Sequence, residues 1–86
     1  MPSRVCRLAL SQLNTTVGDI TGNVAKIREH LARAKTEGAT ISAFPELAVT
    51  GYPPEDLLMR RSFCLASRDA AHSLTPDTAG LIAVVG

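Results

Sequence analysis

The fold is decided by the stretch ISAFPELAVTGYPPEDLL, which occupies residues 41–58. A short apolar run ends at Phe44, and Pro45 follows it directly. Because proline has no N–H to donate to a sheet ladder, the strand is predicted to end there. Glu46 is thereby placed at a strand end, where its apolar neighbours would desolvate the carboxylate and prepare it for proton transfer.

Hydrophobic periodicity predicts strands and helices in alternation on both sides of this stretch. Alternation of this kind indicates an α/β fold in which helices cover a sheet. The first helix carries an apolar stripe at the spacing of a helix face, and the first strand has the continuous apolar centre of a strand buried on both faces. The predicted elements are a strand Val5–Leu13, a helix from Thr21 or Gly22 to Glu37, a strand Thr40–Phe44, a helical turn Glu55–Met59, a helix Ser62–Ser73 and a strand Leu81–Val85.

Length and charge exclude several classes of protein. A chain of 86 residues forms one domain at most, and a chain of this size buries only about 60–65% of its unfolded surface. Nine basic and eight acidic side chains give a net charge of +1, which argues against binding to nucleic acid or to an anionic membrane. The longest apolar run, residues 81–85, is far shorter than the roughly 18 residues that span a membrane. Without a secretory signal, a cytoplasmic protein is expected.

The segment around Glu46 also resembles a known motif. Phe44-Pro45-Glu46-Leu47, followed by Thr50-Gly51-Tyr52, resembles the glutamate motif of the nitrilase, or carbon–nitrogen hydrolase, superfamily. The resemblance implies that Glu46 acts with a lysine and a nucleophilic cysteine, as the base that takes the thiol proton and the acid that returns a proton to ammonia. The alternative is that Glu46 is an ordinary solvated carboxylate at a strand end.

The flanking residues indicate one particular group within this superfamily. Residues 51–58, with Leu8–Asn14, Val17–Asp19 and Gly22-Asn23, are similar to the glutaminase domain of glutamine-dependent NAD synthetases. That domain is a much longer αββα sandwich. Residues 1–86 are therefore predicted to be its opening portion, a partial domain truncated at the C-terminal end.

The same resemblance implies a two-part enzyme. One part hydrolyses glutamine through a cysteine thioester, and an ATP-dependent part uses the ammonia to amidate deamido-NAD. ATP and magnesium would belong to that second part, because this chain has no glycine-rich phosphate loop, and the longer enzyme would be a homo-oligomer. Two alternatives remain. The protein could be a stand-alone hydrolase of another small amide, although the segment Pro53-Pro54-Glu55-Asp56 favours the synthetases. It could also be a non-catalytic fragment.

The remaining candidate residues are few. Tyr52 could line a substrate pocket with its hydroxyl, or it could pack its ring on the fold as a turn tyrosine. Cys6 and Cys64 are interpreted as small buried hydrophobic residues, since neither has the sequence context of the family's nucleophile. His30 and His72 have no Cys or His nearby, so no metal site is predicted. Because the triad lysine and cysteine are missing, the 86 residues alone are predicted to be inactive.

Overall fold

A computed structural model describes residues 6–86. The observed order of strand, helix, strand, helix and strand confirms the predicted one. The elements are β1 (Leu8–Leu10), α1 (Ile20–Thr36), β2 (Ile41–Ala43), a 3₁₀ helix (Glu55–Met59), α2 (Arg61–His72), a second 3₁₀ helix (Thr75–Thr78) and β3 (Ile82–Val84). The strands are shorter than predicted, and Val5 lies outside the described residues.

The three strands form one parallel sheet in the order β1-β2-β3. Ser42, at the centre of β2, lies between Ala9 of β1 and Ala83 of β3. Its side chain is fully buried, and its Oγ has no hydrogen-bond partner within residues 6–86. A buried hydroxyl without a partner costs about 1–3 kcal/mol, so this polar residue weakens the central strand.

Helix α1 supplies half of the buried hydrophobic residues in the described part of the chain. Its residues Val24, Ile27, Leu31 and Ala34 are buried, which confirms the apolar stripe seen in the sequence. Three of them join Ala48, Val49 and Leu74 in one cluster. Helix α2 contributes less to the core: its Phe63 and Ala70 are half-buried, and its Ala66 is exposed.

The opposite face of the sheet is exposed and apolar. Leu8, Leu10, Ile82 and Val84 expose 52%, 71%, 61% and 56% of their surface, and the strand register places them on one face. The prediction that the first strand is buried on both faces is therefore wrong for this chain. The buried cluster lies on the other face, where residues of α1 and Ala70 of α2 pack together with Ala83 of β3.

This face predicts that the 86-residue chain associates in solution. Exposed apolar patches and open sheet edges favour contact between copies, so analytical ultracentrifugation should detect species larger than the monomer. The double variant Leu10→Lys, Val84→Lys should be more monomeric, because a charge resists burial. Ala25→Lys, on the exposed side of α1, is the matched control and should associate like the parent. A sharp, reversible thermal transition from a monomeric parent chain would contradict the prediction.

Neither helix within residues 6–86 is both long enough and apolar enough to cross a membrane.

Candidate active site

The candidate site is the turn that follows β2. Residues 46–50 form consecutive turns, and the Gly51 N–H donates to the Leu47 carbonyl at 2.9 Å. Leu47 has a φ of 55°, in the left-handed region that non-glycine residues rarely adopt. The turn is thus a closed and locally strained unit, and Glu46 is its first residue.

One side of the turn is attached to the end of β3. The Phe44 N–H donates to the Val84 carbonyl at 3.0 Å, and the Val49 N–H donates to the Gly86 carbonyl at 3.1 Å. Gly86 approaches so closely that a Cβ there would lie 3.0 Å from the Leu47 nitrogen. The turn therefore rests directly against the backbone that follows β3.

The other side of the turn is attached to α1 and to the loop before it. Asn23 of α1 is fully buried. Its Nδ2 donates to the Thr16 carbonyl at 2.8 Å and to the Val49 carbonyl at 3.0 Å, and its Oδ1 accepts from the Thr16 N–H at 2.8 Å. The Gly18 N–H also donates to the Thr50 carbonyl at 2.9 Å. These bonds join two loops that are remote in sequence.

Gly51 allows these loops to meet. It is buried and has a φ of 81°. A Cβ at this position would lie 2.6 Å from the carbonyl carbon and oxygen of Thr16 and from the Cα of Val17. The glycine of the Thr50-Gly51-Tyr52 motif is therefore required both by the backbone conformation and by the close approach of the β1–α1 loop.

Glu46 itself is exposed. Ala48 and Val49 of the same turn are buried, so the apolar neighbours face the core while the carboxylate faces solvent. The expectation that these neighbours desolvate Glu46 is wrong for the described residues. The carboxylate lies at the carboxyl end of the central strand, the edge at which parallel α/β sheets bind their ligands.

Tyr52 is also exposed, with 66% of its surface accessible. The turn-tyrosine alternative requires the ring to pack on the fold, but most of the side chain faces solvent. A role of its hydroxyl in substrate binding stays a prediction.

Neither cysteine suits the role of nucleophile beside Glu46. Both are exposed, so the interpretation as buried hydrophobic residues is wrong. Cys6 precedes β1, whereas Glu46 follows β2, and parallel strands place these positions at opposite edges of the sheet. Cys64 lies in α2, where its Sγ contacts the Leu58 carbonyl at 3.3 Å. Within residues 6–86, no three His, Cys, Asp or Glu side chains are grouped as metal ligands.

The chain is similar to known proteins in sequence and in fold. The profile of the carbon-nitrogen hydrolase family matches residues 7–86. The chain belongs to this family. The glutamine-dependent NAD(+) synthetase of Xanthomonas campestris is 44% identical over 81 residues, which cover 93% of this chain and 15% of that protein.

Solved structures have the same fold. The chain superposes on a glutamine-dependent NAD(+) synthetase from Cytophaga hutchinsonii with a TM-score of 0.87 at 24% identity, over 91% of this chain and 13% of that one. An amidase from Nesterenkonia sp. gives a TM-score of 0.71 at 28% identity, over 84% of this chain and 28% of that one. The fold is the start of a nitrilase-like fold, and the chain spans only a small part of these relatives.

The sequence points to Glu46 but does not reveal the contacts of Asn23. In the sequence, the Gly22-Asn23 pair stands out only through its resemblance to the family. A further signal could have been used: Asn23 lies beside the apolar stripe of the first helix. A buried amide needs hydrogen-bond partners, so an asparagine at such a position predicts contacts with another part of the chain.

Proposed function

We propose that this chain is part of a glutaminase domain that supplies ammonia to an NAD synthetase. The supporting observation is the placement of Glu46. It is an exposed carboxylate at the carboxyl end of the central strand, on a turn attached to β3 on one side and to α1 on the other. The identity of 44% to a glutamine-dependent NAD(+) synthetase favours glutamine as the amide substrate.

In this proposal Glu46 transfers protons during amide hydrolysis. It takes the proton of a cysteine thiol, and the thiolate attacks the amide carbon of glutamine. The proton then passes to the leaving nitrogen, so that ammonia departs and a thioester remains. Water, deprotonated by Glu46, hydrolyses the thioester to glutamate and restores the thiol. A lysine would stabilise the negative charge that develops on the carbonyl oxygen.

The cysteine and the lysine would be contributed by a part of the domain that follows Gly86. The chain is then the partial domain that the sequence predicts, and the exposed face of its sheet is where further layers of the domain would pack. ATP and magnesium would serve the synthetase part, which amidates deamido-NAD with the ammonia. Assembly into a homo-oligomer and a cytoplasmic location belong to the same proposal.

A second candidate is a stand-alone hydrolase of another small amide. The structural similarity to the Nesterenkonia amidase favours it, since the start of the fold is shared by both kinds of enzyme. Residues 53–56 resemble the synthetases instead. The two candidates differ in whether NAD is formed.

We expect the 86-residue chain alone to release no ammonia from glutamine, because the triad would be incomplete. We also expect function to return in a chimaera in which residues 6–86 replace the aligned segment of the Xanthomonas campestris synthetase. The chimaera should form NAD from deamido-NAD, ATP and glutamine. Ammonia release by the isolated chain, abolished by alkylation of Cys6 or Cys64, would contradict the first expectation. A chimaera that uses ammonium but not glutamine would contradict the proposed function.

A further inference from the structure

We propose that Asn23 is a positioning residue that holds the Glu46 turn in its working geometry. This inference rests on the proposed function, since it assigns a role to Asn23 in the proton transfers of Glu46. Asn23 lies on α1 and does not touch a substrate in this proposal. It would act through the backbone of the turn.

The hydrogen bonds of Asn23 use both of its amide protons and its carbonyl oxygen. Two of the three bonds go to Thr16 and the third goes to Val49. Among the described residues, the bond to Val49 is the side-chain hydrogen bond that joins α1 to the turn. Asn23 is 0% exposed, so the bond to Val49 lies in the interior of the fold. Without Asn23 the Val49 carbonyl would lose its partner in a buried place.

The orientation of the Val49 backbone is thereby held from two directions. Its N–H is bonded to the Gly86 carbonyl, and its carbonyl is bonded to Asn23. If the second bond is lost, the peptide group between Val49 and Thr50 is free to rotate away from α1.

This rotation would reach Glu46, because the turn is closed. The Gly51 N–H to Leu47 carbonyl bond spans Val49, so a movement of Val49 changes the geometry of Leu47. Leu47 already has a strained left-handed conformation, which persists only while the surroundings hold it. Relaxation of Leu47 would displace the adjacent Glu46.

The test uses the chimaeric synthetase with Asn23→Ala. The concentration of intact glutaminase sites is counted from the end point of labelling with a thiol-alkylating glutamine analogue, which does not depend on how fast the thiol reacts, and kcat is expressed per labelled site. A displacement of about 1 Å in a catalytic group can cost about 10²-fold in rate. We therefore expect kcat with glutamine to fall about 10- to 100-fold, with KM nearly unchanged and ammonium-dependent NAD formation retained.

The matched control is Leu31→Ala, which also removes a fully buried side chain from α1 but no hydrogen bond to the turn. It should reduce the number of labelled sites without changing kcat per site. If Asn23→Ala behaves in the same way, Asn23 only stabilises the fold and the inference is wrong. If Asn23→Ala yields no labelled sites, the test is made with Asn23→Asp. This variant keeps the size of the side chain and the acceptor for the Thr16 N–H, but it loses the donor to the Val49 carbonyl. An unchanged kcat per site in that variant would also overturn the inference.

Glu46→Gln is assayed in parallel to separate the two proposals. If it abolishes glutamine use and Asn23→Ala does not lower kcat per site, the positioning role fails while the proposed function stands. If Glu46→Gln keeps full glutamine use, Glu46 is not the base, and the positioning role of Asn23 fails with that assignment.

Discussion

Replacing Glu46 with glutamine in the chimaeric synthetase should lower glutamine-dependent NAD formation by about 10²–10⁴-fold, the typical contribution of a general acid–base. Glutamine keeps the size and the hydrogen-bonding head of the side chain but cannot carry the proton between thiol and leaving nitrogen. Because Glu46 is exposed, the substitution leaves no buried group without a partner, and the turn should keep its structure.

The effect should be confined to the glutaminase reaction. With ammonium supplied in place of glutamine, NAD formation on the same preparation should be nearly unchanged, because the synthetase part would not need this proton transfer. Glu29→Gln is the matched control, since Glu29 is an exposed acid on α1, and it should retain both activities. If both activities fall in Glu46→Gln, Glu46 supports the fold. If glutamine hydrolysis persists, Glu46 is not the base.

Replacing Gly51 with alanine should cause a large loss of folding stability. A Cβ would lie 2.6 Å from three backbone atoms of the β1–α1 loop, and backbone atoms can move only if the loop moves. The left-handed conformation adds a cost of about 1–2 kcal/mol, and forced displacement in a packed region adds about 1–3 kcal/mol. The free energy of unfolding should thus fall by about 2–5 kcal/mol, a large share of the stability of a small domain.

Gly80→Ala is a matched control for this effect. Gly80 has a similar φ of 86°, but a Cβ there would meet no atom within 4 Å. Urea unfolding of both variants, in a background that carries Leu10→Lys and Val84→Lys to limit association, would separate conformational strain from the clash. Equal losses in the two variants would mean that the close approach of Gly51 to Thr16 does not contribute.

Much of the fold could be predicted from the sequence because its signals are local. The stripe of Val24, Ile27, Leu31 and Ala34 recurs with the period of a helix, and this period alone predicts one buried face. Pro45 cannot donate to a ladder, so the end of β2 and the position of Glu46 after it follow from the residue type. The alternation of elements then favours a sheet covered by helices, which the structure confirms.

Burial could not be predicted in the same way, because it depends on residues that are distant in the chain. Leu8 and Leu10 have the composition of a strand buried on both faces, yet one face is exposed because the buried cluster lies on the other face. Glu46 is exposed for the same kind of reason. Ala48 and Val49, close to it in sequence, are buried, while its own side chain faces solvent.

The sequence by itself determined the order of the elements, the position of Glu46 at a strand end and the resemblance to the carbon–nitrogen hydrolases. Only the tertiary structure decided how the Glu46 turn is held. The Nδ2 of Asn23 and the Val49 carbonyl are 26 residues apart, and Gly51 contacts a loop that precedes α1. Such pairs have no signal in local periodicity or turn propensity, because they form only when the packing of α1 against the sheet brings the two loops together.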